Sequence, residues 1–156
     1  YLLGKDTTRI MQRLEGWEDN LKKYIEQHEN INFKFGANDC VAFVIGAYLV
    51  ITGIDLQKKL KEENFLLDHK DKKGAYKKVT EYADGTVFGS ANKLAKKMKI
   101  KKIHSAFAKH GDIVGKYNSK KEEMLGVMSD DGTATYLHKD GIVHLDRTEI
   151  KVAWEV

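Results

Sequence analysis

The order of apolar and polar residues predicts helices up to about residue 100. Between Thr8 and about Gln27, apolar residues recur every three or four positions, which is typical of one helix face. Gly16 lies inside this pattern and is expected to divide it into two pieces. The segment 39–52 is apolar on nearly all sides, and Gly53 after it is a glycine stop. We therefore predict that 39–52 is the buried central helix.

Shorter helices are predicted around this central helix. The connection that follows the first helix carries Phe33 and Phe35, whose alternation is also compatible with a short edge strand. A short exposed helix is expected at 56–60 and another at 74–82. A further helix is expected to begin at Ser90 as its N-cap and to end near residue 98.

After residue 100 the pattern alternates with a period of two, as in half-buried strands. Asp131-Gly132 and Asp140-Gly141 are typical of tight turns between strands. Helices first and an antiparallel sheet last predict an α+β fold in a single domain over 1–156, with a helical part at about 8–100 and a sheet part at about 111–156. About five strands are expected, at 112–117, 123–129, 133–139, 142–145 and 150–156.

The charge distribution argues against a nucleic-acid partner. Lys and Arg number 27 against 23 Asp and Glu, which leaves a net charge of +4. Nearly all the basic residues are lysines that alternate with acids, whereas nucleic-acid binders tend to cluster Arg and Lys on one face. The run 96–102 is the exception.

Composition also argues against a membrane-spanning, a disulfide-bonded and a metal-binding protein. The apolar run 41–51 is shorter than the roughly 18 residues of a membrane span, and the start of the chain has no signal-peptide pattern. The single cysteine excludes an internal disulfide framework and a cysteine-rich zinc site. No His-x-x-x-His spacing occurs, so neither a metal nor another cofactor is expected.

Cys40 is the candidate catalytic residue. Asn38 or Asp39 is a good N-cap, which puts Cys40 in the first turn of the central helix. The partial positive charge and free N–H groups there favour an anion, so we expect a lowered thiol pKa, as in a nucleophile. The alternative is that Cys40 is a small buried apolar residue, as most free cysteines are. The residues alone leave both interpretations open.

The order of these features resembles the papain-like hydrolases of the NlpC/P60 group, and most closely the NlpC/P60-related proteins of tailed bacteriophages and prophages. The resemblance covers about Trp17 to Val156, and its specificity comes from the shared order of single elements that are weak alone. The matching elements are Trp17, Leu21, Tyr24-Ile25, Phe35-Gly36, Asp39-Cys40, Phe43, Thr52-Gly53, Gly74-Ala75, Gly111-Asp112-Ile113-Val114, Leu125-Gly126-Val127, Gly141 and Ala153-Trp154-Glu155-Val156.

The resemblance implies a papain-like fold in which the central helix packs on the sheet and Cys40 occupies the place of the nucleophile. In the active enzymes a histidine on the second strand takes the thiol proton, and a polar residue on the third strand holds that histidine. Those two places fall on Met124 and on about Tyr136. Met124 cannot accept a proton, and a thiol without a base is mostly protonated at neutral pH.

His138 is the first choice for a substitute base. On an alternating strand it shares a face with Tyr136, the face that the resemblance aims toward Cys40. The remaining histidines are His110 as second choice, His104 and His144 after it, and His28 and His69, which are expected to be solvated.

Two functions follow from the resemblance. The first is a phage tail-associated cysteine hydrolase of amide bonds, of the peptidoglycan peptidase or amidase type, with Cys40 as nucleophile and His138 as base. The second is a protein that keeps the fold without the chemistry and serves as a structural or assembly component of a phage tail or virion. The expected partners are peptidoglycan or another amide substrate, and tail or virion proteins. The expected location is the virion, or the host cytoplasm during assembly.

Overall fold

A computed structural model describes residues 13–31, 39–63, 74, 77–78, 81–83, 85–130 and 132–156 of the chain. In these ranges the protein is α+β, as predicted, with helices that precede an antiparallel sheet. The α-helices are α1 (Trp17–His28), α2 (Cys40–Thr52), α3 (Leu56–Glu62) and α4 (Val87–Lys97). The strands are β1 (Lys101–Ile103), β2 (Ile113–Tyr117), β3 (Glu123–Met128), β4 (Thr133–His138), β5 (Gly141–Asp146) and β6 (Val152–Glu155).

Helix α1 begins after Gly16, which has a φ of 75° and so divides the periodic pattern as predicted. Leu21 and Ile25 form its buried face, because residues four apart lie on one side of a helix. The part of the pattern before residue 13 and the predicted connection with Phe33 and Phe35 lie outside the described residues.

Helix α2 is the central element, as predicted. The Asp39 carboxylate accepts the Ala42 N–H at 2.9 Å and caps the first turn, and Gly53 ends the helix with a φ of 78°. Its nearly all-round apolar composition fits the burial of both sides, since α1 packs on one side and β3 and β4 on the other. The buried residues are Phe43, Val44, Ala47, Tyr48, Ile51 and Thr52.

The shorter helices differ from their predictions in two respects. Helix α4 begins at Val87 and not at Ser90, because the Thr86 hydroxyl caps the Gly89 N–H and the distant Glu123 carboxylate accepts the Val87 N–H at 2.8 Å. Helix α3 exposes its lysines but buries its two leucines, so it is only half exposed. Of the helix predicted at 74–82, residues 74, 77–78 and 81–82 are helical, and the others lie outside the described residues.

The sheet has the order β1-β6-β2-β3-β4-β5, with all neighbours antiparallel. β2 to β5 form the predicted meander. The sixth strand, β1, was not predicted because it has only three residues, two of them exposed lysines. The last strand does not simply extend the sheet at its edge: β6 lies between β1 and β2 and pairs Ala153 with Val114 and Trp154 with Lys102.

Each face of the sheet carries its own apolar cluster. The first cluster joins α1, α2 and α4 to side chains such as Leu125, Val127 and Leu137 on β3 and β4. The second cluster lies on the other face and contains Met124 and Tyr136. Successive strand residues alternate between faces, so the position of a residue along β3 or β4 decides whether it faces the central helix.

Candidate functional site

Cys40 lies at the first position of α2, directly after its cap Asp39. The sequence predicted this placement. The backbone N–H groups of Leu125, Cys40 and Val41 surround the sulfur and favour a thiolate. Leu125 belongs to β3, so the site is formed where the start of the central helix meets the middle of the sheet.

The pKa of Cys40 contradicts the expectation. Burial raises the pKa of the Cys40 thiol to about 11, and the Asp39 carboxylate raises it further against the opposing N–H groups. Desolvation disfavours a charged sulfur more than the first turn of the helix favours it. The thiol is therefore protonated at neutral pH, and the predicted lowering of its pKa was wrong.

The residues at the places of the base and its partner do not face the central helix. Met124 is 7% exposed and packs in the second apolar cluster, although it also borders the cavity beside Cys40. Tyr136 is fully buried in that same cluster. Helix α2 packs on the opposite face, against Leu125 and Leu137. The expectation that the Tyr136 face is aimed toward Cys40 was therefore wrong.

His138 ends β4 and, like Cys40, lines one cavity of the protein. Its Nδ1 accepts the Asp140 N–H at 3.4 Å and lies 3.8 Å from the Asp140 carboxylate. Among the described residues, its ring makes no hydrogen bond to the Cys40 sulfur. The fold thus brings the two predicted site residues to the same cavity without joining them as a pair.

The other described histidines are occupied elsewhere. The His110 ring lies 4.7 Å from the Trp17 ring, His104 Nδ1 accepts the Ala106 N–H, and His144 Nδ1 is 2.8 Å from Thr135 Oγ1. His28 was expected to be solvated, but it is half-buried. Its ring packs on Tyr24 and Phe43. His69 lies outside the described residues.

The cavity beside Cys40 has a volume of about 740 Å³ and mostly apolar walls. Helices α2, α3 and α4 and the first-cluster face of the sheet supply these walls. Polar side chains gather at its rim, where the turns before β3 and after β4 meet. Sequence reasoning missed the cavity because its walls are far apart in the chain, and no local pattern marks them as neighbours. The rim residues are Asn118, Ser119, Lys120, Glu122, His138, Lys139 and Asp140.

No group of three or more His, Cys, Asp or Glu side chains that could hold a metal ion occurs in the ranges that the structure describes. In the same ranges, no single helix has the length and apolar character to cross a membrane. Within these ranges, α2 and α3 together have sufficient length and apolar character, but a bend of 109° separates the two helices.

Fold and site together define an α+β protein whose single cysteine begins a central helix and borders an apolar cavity. The chain belongs to the DUF6950 family, a domain of unknown function, whose family model matches residues 12–156. No curated protein matches the chain.

Proposed function

We propose that this protein is a catalytically inactive domain of papain-like NlpC/P60 architecture, which serves as a binding or assembly component of a phage tail or virion. The observation that supports it best is the absence of a base at Cys40 in the described part of the chain. Met124 at the motif position packs on the far face of the sheet, and burial keeps the Cys40 thiol protonated. A protonated thiol is a poor nucleophile.

The phage assignment is supported by the order of motifs from Trp17 to Val156, which resembles that of phage and prophage proteins. It implies a location in the virion, or in the host cytoplasm during assembly. The central helix packed on the first-cluster face of the sheet agrees with a papain-like arrangement. The partners proposed on this basis are other tail or virion proteins.

A second candidate function is a cysteine hydrolase of amide bonds in peptidoglycan. It is favoured by one observation, that Cys40 and His138 line the same cavity. In such an enzyme the N–H groups at the helix start would stabilise the oxyanion, and His138 would have to reach the sulfur to act as the base. Among the described residues, no hydrogen bond holds that ring in such a position.

The alkylation rate of Cys40 by iodoacetamide between about pH 4 and 10 separates the two functions. Since a thiol of raised pKa stays protonated, we expect almost no reaction below about pH 8 and the same profile in His138→Ala. Cys40→Ser supplies the background rate. A thiolate that persists below about pH 7 and disappears in His138→Ala would establish the hydrolase and overturn the inactive assignment.

A further inference from the structure

The cavity beside Cys40 has the size and surface of a small-molecule site. Its volume of about 740 Å³ lies inside the range of roughly 300–1,000 Å³ that is usual for such sites. Val44 and Tyr48 of α2, Leu60 of α3 and Leu94 of α4 form its walls together with Leu137 of the sheet. Walls of this kind suit an alkyl chain. A sugar or a stem peptide would lose its hydrogen bonds to water there without replacement.

The charges at the rim are unequally engaged. The Glu123 carboxylate accepts the N–H groups of Val87 and Phe88 at the start of α4. Glu122 accepts the side-chain amide of Asn118 at 3.1 Å, and Asp140 lies beside the His138 ring. The amino groups of Lys120 and Lys139 line the same rim. In the ranges that the structure describes, neither forms an ion pair. Lys120 and Lys139 are therefore charged groups of the rim that remain available to a ligand.

We propose that this cavity binds a long-chain carboxylate, with the alkyl chain between α2 and α4 and the carboxylate at Lys120 and Lys139. The proposal rests on the binding role proposed above and names the ligand class for it. No covalent step is involved, since the thiol beside the chain stays protonated. Apolar burial supplies most of the affinity, and the two ammonium groups select an anionic head over a neutral one.

Cys40 supplies a direct readout because it borders the cavity and is the only thiol in the chain. The experiment measures its alkylation by N-ethylmaleimide at about pH 9, with laurate or dodecanol as the probe. We expect saturating laurate to slow alkylation about tenfold or more, and dodecanol to need about ten times the concentration for the same protection. No protection by laurate at any soluble concentration would overturn the proposal.

Variants test the two parts of the site separately. Lys120→Ala combined with Lys139→Ala should weaken the binding of laurate about tenfold and leave the binding of dodecanol unchanged. Lys96→Ala combined with Lys101→Ala removes two exposed lysines away from the cavity and should change neither ligand. Ala91→Trp should fill the cavity and abolish the binding of both. An equal loss for laurate and dodecanol in the first pair would remove the head-group assignment.

If Cys40 does not react with N-ethylmaleimide even without ligand, tryptophan fluorescence gives a second measurement of binding. Trp154 also lines the cavity, so its fluorescence in a Trp17→Phe background should change on titration with laurate. No change there, with circular dichroism showing a folded protein, would contradict the proposal. The pH profile of iodoacetamide alkylation without laurate tests catalytic inactivity independently. A wrong ligand class can therefore be distinguished from a wrong proposed function.

Discussion

Asp39 affects both the start of α2 and the chemistry of the residue after it. Its carboxylate is 4% exposed and caps the Ala42 N–H. Because an N-cap contributes about 1 kcal/mol, we expect Asp39→Ala to lower the free energy of unfolding in urea by about that amount. Asp39→Asn keeps the acceptor and should lose clearly less. Equal losses would show that the charge, and not the cap, is what stabilises the helix.

The same carboxylate raises the pKa of Cys40. Asp39→Asn removes a negative charge beside the sulfur, so the pKa of Cys40 should fall. Thiolate absorbance near 240 nm follows this titration, with Cys40→Ser as the blank. An unchanged or raised pKa in Asp39→Asn would mean that burial alone sets the titration of this thiol.

The raised pKa of Cys40 also makes stability depend on pH in alkali. The folded pKa of about 11 lies about two units above that of an unfolded cysteine. The unfolded chain therefore releases its proton first, and stability present below about pH 9 is lost as the pH rises toward 11. The loss is up to roughly 3 kcal/mol, an upper figure because Cys40 keeps some solvent contact. Urea unfolding of wild type minus Cys40→Ala should show this fall, and parallel curves would contradict it.

The sequence predicted that Asp39 caps the helix and that Cys40 lies in its first turn, because both features depend only on neighbouring residues. It did not predict the direction of the pKa shift. That direction depends on the burial of the sulfur in the folded chain, which also brings Cys40 into contact with Leu125, 85 positions further along the sequence. A local rule for helix starts has no access to such a contact.

Gly126 of β3 lies directly against Thr135 and Tyr136 of β4. A Cβ there would collide with the backbone oxygen of Thr135 and lie 2.5 Å from the Tyr136 ring. A backbone atom in a paired strand moves at a cost, so Gly126→Ala should lower the free energy of unfolding by about 1–3 kcal/mol. Gly132→Ala tests positive φ alone, since its Cβ would meet nothing within 4 Å, and should cost about 1 kcal/mol. A neutral Gly126→Ala would contradict this packing.

Periodicity and turn signals predicted the central helix and the meander because each element has a repeating pattern of its own. They failed at α4 and at β1 for different reasons. The start of α4 is stabilised by Glu123, 36 residues away from Val87, so no neighbouring residue marks it. β1 is too short for alternation to be recognised and forms because β6 pairs with it.

Asp112 joins the segments at Arg13 and Val156 to the loop that precedes β2. Its fully buried carboxylate accepts hydrogen bonds from the Arg13 side chain and from the N–H groups of Lys109 and Val156. Asp112→Ala leaves these donors without an acceptor and should cost about 3 kcal/mol or more. Lys109→Ala removes an exposed amino group that pairs with the same carboxylate and should cost less than about 1 kcal/mol. Similar losses of unfolding free energy in the two variants would show that the buried Asp112 carboxylate does not contribute most of the stability at this site.

The candidate site as a whole was the least predictable part. Its two residues were named from the sequence, but the cavity that they share is enclosed by three helices and the sheet. Which face of β3 meets the central helix decides which side chains lie near Cys40, and a one-residue difference along the strand exchanges Leu125 for Met124. The resemblance indicated the opposite face, that of Tyr136.

The place of β6 in the sheet also orders events during translation. A ribosome releases β1 and then β2 to β5 before β6, so the nascent chain holds a meander whose β2 edge is open and a β1 without its partner. An open edge recruits other chains. The β2 edge therefore lacks its partner until Val152–Glu155 has been synthesised, and we expect pairing with other chains to be most frequent in that interval.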